Sequence, residues 1–392
     1  MPRPLIALLV VVAACSGGQE LAPTPPTTLP PPVTTSDPTT TSTSGATTTT
    51  GAPTTTLAPL ESLAYEEVAT FEFPVQITAL PGSELSYVAT KDGRVWAYDG
   101  ATVAETPVLD ISERVTNDGE RGLLSIALHP EDPSRFFAHY SDGNGDTVVS
   151  EFTFTSPTSI DPASERMVLT LNQPAANHNG GMIQIYDGAL LVALGDGGRS
   201  NDAFGHGQNT ESLLAGLVRV SIDSEEDPVL WQYGLRNPWR FWIDDDLVYV
   251  ADVGQNAFEE VNVSPLDQGV NYGWSITEGL HCFNPSSGCD TDGITMPVVE
   301  VGHGDAGTCS ITGGIVYRGV AIPEITGHYF YSDYCGGYLR SFRFEDRAAA
   351  EPTDWTDQVG VAGSVTGFGV DGLREMYVTT IDRLLRVVAV RG

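Results

Sequence analysis

From residue 61 to the C-terminus, apolar residues come in short runs and almost never recur at helical spacing. Stretches rich in Val, Ile, Leu, Tyr and Trp are cut by Asp-Gly, Gly-Gly and Asn-Gly turns, which is strand-and-turn patterning. One unit returns along the chain: an acidic or glycine turn, an alternating strand, then another turn. It reads KDGRVWAYDG (91–100), YDGALLVALGDGG (186–198), DDDLVYVADVGQ (244–255), GHYFYSDYCGGYLRSF (327–342) and DGLREMYVTTIDRLLRVV (371–388). A strand-turn unit repeated around ~330 residues predicts an all-β fold, a six-bladed β-propeller at roughly 55 residues per blade. A pair of β-sandwiches is the alternative. It would need an interdomain linker, and none interrupts 61–392. In a propeller, loops distant in sequence converge on one mouth of a central channel, so candidate chemistry is sought there.

The first 60 residues read differently. Arg3 precedes an apolar run from Leu5 to Ala14, too short to span a bilayer and suited to a signal peptide, residues 1–14. Val12-Ala13-Ala14-Cys15 resembles a bacterial lipoprotein signal, which would leave Cys15 as the lipid-anchored N-terminus of an exported protein. An ordinary cleaved signal with an incidental cysteine is the alternative. Residues 21–59 hold 16 Thr and 9 Pro in 39 positions and no aromatic. Such a stretch buries too little apolar area to offset its chain entropy, so 15–60 is expected to be a disordered linker. The propeller is expected over 61–392.

Charge narrows the function classes. Acids outnumber Lys plus Arg by 51 to 19, a formal charge of −32. This excludes general nucleic-acid binding, and because no later segment approaches ~18 uninterrupted apolar residues the lipid anchor is the expected membrane contact. Lys91 is the only lysine, so Schiff-base chemistry has almost no material. The four later cysteines suit two disulfides in an exported protein. Cys282 and Cys289 bracket one Pro-Ser-Ser-Gly turn and are expected to pair, which leaves Cys309 with Cys335. Zinc is disfavoured because no two of the four show C-x₂₋₄-C spacing.

Four segments carry chemistry that strands do not require. His178, in Asn-His-Asn-Gly-Gly (177–181), is a candidate general base on a close-approach loop; a plain surface-turn histidine is the alternative. Asp196, in Leu-Gly-Asp-Gly-Gly (194–198), could return to the same mouth and hold one ring nitrogen, or simply cap its own turn. YGLRNPWRF (233–241) offers Arg236 to stabilise developing negative charge, or an arginine for a blade-to-blade salt bridge. The oxygen-rich segments DVGQN (252–256), Glu259-Glu260 and NYGW (271–274) suit a hard cation such as calcium. Asp142-Gly-Asn144-Gly-Asp146 lacks the rest of an EF-hand loop and reads as a hairpin turn.

In order, ERGLLSIALHP, NHNGGMIQI, LGDGG, YGLRNPWRF, DVGQNAFEEVNV, NYGWSITEG and ITGGIVYRG resemble the glucose/sorbosone dehydrogenase family of soluble aldose sugar dehydrogenases. The resemblance implies a six-bladed propeller that uses pyrroloquinoline quinone (PQQ) and Ca2+ to oxidise an aldose and passes electrons to an unidentified acceptor. By motif it makes His178 the base that takes the anomeric hydroxyl's proton and Asp196 its orienting partner. Arg236 and Asn237 contact the quinone, and Glu120 stands where the family often has a cofactor-contacting glutamine. The carbonyls of Gly254 and Gln255 hold the cofactor's calcium, while Glu260 and the carbonyl of Tyr272 match a second calcium site. Arg318 matches one basic position expected against the PQQ carboxylates. At the next such position the chain reads Tyr334-Cys335-Gly336-Gly337-Tyr338, without a basic residue until Arg340.

Three functions follow. The leading one is an exported, anchored PQQ- and calcium-dependent sugar dehydrogenase. The second is a calcium-dependent lactonase in which His178 activates water. The third is a non-catalytic lipoprotein that binds sugar or protein, as the hedgehog-interacting group of relatives uses its propeller.

Overall fold

The computed structural model describes residues 57–392. The signal peptide, Cys15 and most of the expected linker lie outside the described residues. Six four-stranded antiparallel sheets form a six-bladed propeller. We number them by chain position: blade 1 (74–110), blade 2 (123–171), blade 3 (183–233), blade 4 (238–302), blade 5 (315–354) and blade 6 (365–391). The fourth strand of blade 6 is Leu60–Thr70, which pairs antiparallel with Arg383–Arg391. The ring is therefore closed by hydrogen bonds between its two ends, which removes the exposed edges an open sheet would leave.

The short strands follow the pattern of the sequence. Ser86–Thr90 and Ala189–Leu194 are second strands of their blades and are buried along their whole length. Residues buried on both faces read as continuous apolar runs, because each blade packs against two neighbours. Val75 and Ala89 of blade 1 share a core with Phe136 and Phe152 of blade 2. Ile315 and Phe330 of blade 5 meet Phe368 and Val378 of blade 6.

Blade 4 carries an insertion between its third strand, Phe258–Pro265, and its fourth, Val299–Gly302. It contains a two-stranded hairpin, Thr277–Glu278 with His281–Cys282. The Cys282–Cys289 disulfide closes it, and Cys309–Cys335 links the approach to blade 5 with the turn after Tyr329–Tyr331. Both pairings match the expectation from the sequence. Cys309 and Cys335 also lie close to Asp333, but the sulfurs are bonded to each other and are not free to ligate a metal.

Innermost strands all run the same way through the channel. Loops before them, such as 177–182 and 234–237, and loops after the second strands, such as 195–198 and 253–257, converge on one face, here called the upper mouth. The far ends of the innermost strands surround a cavity of about 370 Å³ at the lower mouth, lined by Leu80, Leu128, Ile185, Asp244, Arg318 and Asp371 among others.

Candidate active site

The upper mouth is built on a histidine whose backbone is forced into an uncommon shape. His178 has φ of 56°, in the left-handed region that non-glycine residues rarely adopt. Two features hold it there. Its N–H donates to Glu120 Oε2 at 2.6 Å. Its carbonyl lies so close to Gly195 that a Cβ at 195 would collide with it. The bare glycine of Leu-Gly-Asp-Gly-Gly thus lets the second strand of blade 3 bring Asp196 beside His178.

Asp196 is fully buried and His178 is 3% exposed. Asp196 Oδ1 meets His178 Nδ1 at 2.6 Å and accepts the Gly198 N–H at 2.9 Å. Oδ2 accepts the indole N–H of Trp274 at 2.9 Å. With Nδ1 bonded to the carboxylate, the ring's other nitrogen, Nε2, is the one left for a ligand.

Asn237 ties the next loop in. Its amide donates to Glu120 Oε2 at 3.1 Å, and its Oδ1 accepts the Gly180 N–H at 3.1 Å. Glu120, Asn237 and the His178 loop therefore form one network across blades 2, 3 and 4. Glu120 acts there as a strut beneath the histidine, in addition to the cofactor contact expected from the sequence.

Asp252 organises the arginine loop by accepting the N–H groups of Arg236 at 2.8 Å and Asn237 at 2.7 Å. The Arg236 guanidinium donates to the carbonyls of Val253 at 2.9 Å and Gly254 at 2.7 Å, and lies 5.6 Å from the Trp274 ring centre. Its Nε is buried and unpaired, as is Asn179 Oδ1. Buried orphan polar atoms are costly and point to a partner, ligand or water. Beneath this layer, Arg240 reaches across the channel from blade 4 to Val75 O of blade 1 at 2.8 Å and makes no bond to an acid. The salt bridge considered for these arginines is thus absent at Arg240, and burial pulls its pKa down to about 9.

The acidic segments surround the Gly254 loop. Glu278 Oε1 accepts the N–H groups of Gln255, Asn256 and Ala257 at 2.6, 2.8 and 3.1 Å. Glu259 is buried, bonds His303 Nε2 at 2.6 Å and accepts the Gly254 N–H at 3.2 Å. Glu260 sits opposite Asp252 in the sheet register. It accepts from Asn262 Nδ2 at 2.7 Å and from the Gly279 N–H at 2.8 Å. Burial, then the charges of Glu259 and Glu278, push its pKa up to about 7; burial and Glu260 likewise raise that of Asp252.

Part of the donor set fits the expected groups. Asn262 Oδ1 is a buried acceptor with no partner beside Glu260, which suits a hard cation. The Tyr272 phenol is bonded elsewhere, to Gln232 Oε1 at 2.7 Å, so only its carbonyl is a candidate ligand. At Gly254 the guanidinium of Arg236 is the cation that meets the carbonyl. The Gln255 amide bonds Asn201 Oδ1 at 2.9 Å, linking this loop to the one after Asp196.

Arg318 is a correction. It lies at the lower mouth and forms a two-point ion pair with Asp244 (2.9 and 2.5 Å). Asp244 ends the strand Pro238–Asp244 that begins beside Asn237, so roughly 20 Å of extended chain separates Arg318 from the upper mouth. The VYRG motif was matched in sequence, but its arginine follows the innermost strand of blade 5, whereas upper-mouth residues precede innermost strands or follow second strands.

Residues 71–362 match the Glucose / Sorbosone dehydrogenase family. The chain belongs to the glucose/sorbosone dehydrogenase family. Among curated relatives, the HIPL1 protein of Arabidopsis thaliana is 28% identical over 78% of this chain and 60% of its own length. The human Hedgehog-interacting protein is 22% identical over 77% of this chain and 47% of its own. The chain thus spans about half to three fifths of the curated relatives it matches. Among solved structures, the PQQ-bound aldose sugar dehydrogenase of Streptomyces coelicolor superposes with TM-score 0.67 at 22% identity, covering 85% of this chain and all of that one. At that identity the likeness concerns the family fold.

Sequence reasoning missed the roles of two further site residues. Trp274 stood in the NYGW motif, yet nothing local shows that its indole reaches Asp196. His303 follows a strand end with no flanking motif, and only the fold brings it to Glu259.

Proposed function

We propose that the protein is an exported, lipid-anchored sugar dehydrogenase that oxidises the anomeric carbon of an aldose. The observation that carries the reading is the buried His178–Asp196 pair at the upper mouth, beside an arginine with an unpaired Nε. Membership of the glucose/sorbosone dehydrogenase family supports this reading.

His178 Nε2 would take the proton of the anomeric hydroxyl, and Asp196 would stabilise the imidazolium that forms. Glu120 and Asn237 hold the histidine loop still, which limits the reorganisation the step requires. Arg236 offers its free N–H to a developing negative charge. Bound PQQ would supply the hydride acceptor, and calcium its charge neutralisation. Arg236, Asn237 and the Gly254–Gln255 loop would hold the quinone with its ion; Glu260, with the Tyr272 carbonyl, would hold the second ion.

Reconstitution with PQQ and calcium tests the reading. Reduction of a dye by aldoses is the expected result. No reduction, with PQQ bound or unbound, would overturn it and favour a binding propeller. That second reading is favoured by the relation to Hedgehog-interacting protein.

A further inference from the structure

We propose that Trp274 is a positioning residue of this site, fixing the proton arrangement of the His178–Asp196 pair and backing the arginine. The inference rests on the dehydrogenase reading for what the base does, but not for the geometry.

A core tryptophan needs one acceptor for its indole N–H, and any backbone carbonyl would serve. Trp274 bonds instead to Asp196 Oδ2, at 2.9 Å. The other oxygen of that carboxylate meets the ring nitrogen of the candidate base. A fully buried carboxylate held by three donors on both oxygens cannot rotate, so Oδ1 stays on His178 Nδ1 and the lone pair stays on Nε2, the nitrogen left for a ligand.

The indole is itself clamped. Phe283 packs against it with ring centres 4.7 Å apart, and the Arg236 guanidinium lies 5.6 Å away. The backbone N–H of Trp274 donates to Gly234 O at 2.8 Å, and its carbonyl accepts from Gln208 Nε2 at 2.6 Å. Phe283 follows Cys282 directly, so the disulfide-closed insertion of blade 4 supports the indole from behind. One side chain thus joins the proposed base to the proposed electrostatic group.

The test is Trp274→Phe, which keeps the ring and removes the N–H, with Phe283→Ala as the control that loosens packing and keeps it. Nitrogen-15 NMR reads the His178 tautomer directly and does not depend on activity. The wild type and Phe283→Ala are expected to show a single tautomer protonated at Nδ1, and Trp274→Phe a mixture. In the dye assay kcat is expected to fall about tenfold with KM nearly unchanged, since orienting partners of a functional histidine are worth roughly 10- to 100-fold.

A Trp274→Phe protein with an unchanged tautomer overturns the proposal, even if its melting temperature drops. If that variant does not fold, the indole N–H resonance of the otherwise wild-type chain carries the test. It should move when His178→Ala removes the other partner of the same carboxylate, and a fixed resonance overturns the proposal. Failure of the dehydrogenase reading shows separately, as wild type without dye reduction but with the tautomer result intact.

Discussion

The upper mouth has two unlike halves. On blades 2 to 4, side chains that can carry charge or protons point at one another and at the mouth: Glu120, His178, Asp196, Arg236 and Asp252. On blades 5 and 6, polar groups serve the backbone. Asp333 is fully buried and accepts the N–H groups of Cys309, Ser310, Cys335 and Gly336. The Cys309–Cys335 bond spans the same turn. The glycines that replace an expected basic residue are sterically required there. Gly337 has φ of 59°, and a Cβ would strike Gly363 O; a Cβ at Gly336 would lie 2.9 Å from Ala306 O. One half gathers chargeable side chains around one another and the other is organised around its own turns. In the proposed reading, recognition of an anionic cofactor would therefore fall to blades 2 to 4.

Removing the base should break this contrast most severely. His178→Ala is expected to lower kcat by ~10²-fold or more, because general-base catalysis is typically worth about 10² to 10⁴. PQQ and calcium binding should change little, since in the proposed reading the histidine meets the substrate hydroxyl and not the cofactor. Equal loss of cofactor binding, measured by the quinone absorption spectrum, would assign His178 to the cradle instead.

Beneath the same half lies a pH-sensitive support. His139 is fully buried, and its Nδ1 meets Gly181 O at 2.7 Å, three residues beyond His178. Burial holds its pKa down to about 4. The unfolded chain binds that proton near pH 6.5 and the folded chain does not. The stability this contributes is complete above about pH 6.5 and lost as pH falls towards 4, by up to about 3 kcal/mol. Urea unfolding of wild type and His139→Gln at pH 7 and 4.5 should show a smaller pH loss for the variant. Equal losses would remove His139 as the cause.

Calcium should stabilise the acidic side of this half. Asp252, Glu259 and Glu260 are buried close together; burial raises the pKa of all three, and neighbouring carboxylates add to it, Glu260 at Asp252, Asp333 at Glu259, and Glu259 with Glu278 at Glu260. A cation at 100 times its Kd adds about 2.7 kcal/mol, a rise in Tm of roughly 4 °C for a folded domain of this size. Chelator should lower Tm by that amount, and Glu260→Gln should shrink the difference. An unchanged Tm in excess chelator would count against a bound ion.

What the sequence showed depended on how local the signal was. The repeated turn-strand-turn unit fell on second strands in blades 3 to 6 and on the third strand, Arg94–Tyr98, in blade 1. Period-two patterning and glycine turns are local, so the propeller was legible. His178 and Asp196 were legible because each sits in its own glycine-rich loop. Trp274, His139 and His303 were not, since each acts through a partner brought close only by the packing of neighbouring blades or by an insertion. Arg318 was misplaced for a related reason: a motif gives the neighbours of a residue but not the end of the strand at which it stands.

Arg318 and Tyr334 give the smallest and most pointed test of the two halves. Arg318 is paired with Asp244 at the lower mouth, so Arg318→Ala should leave PQQ affinity within about twofold, the noise expected of a distant surface change. If that substitution weakened PQQ binding clearly, the cofactor's carboxylates would reach further than the upper mouth, and the division drawn between the halves would be wrong. The converse experiment adds charge to the silent half. Gly336 and Gly337 cannot accept a side chain without moving backbone, but Tyr334 is 36% exposed on the same turn. Tyr334→Arg places a guanidinium there without disturbing the buried Asp333. A partly exposed ion pair is worth up to about 1 kcal/mol, so the gain should be at most about fivefold and should fade as salt is raised. A salt-independent gain would indicate packing on the cofactor instead of charge. No gain at low salt would mean that the cofactor's carboxylates turn towards blades 2 to 4, where Arg236 already stands.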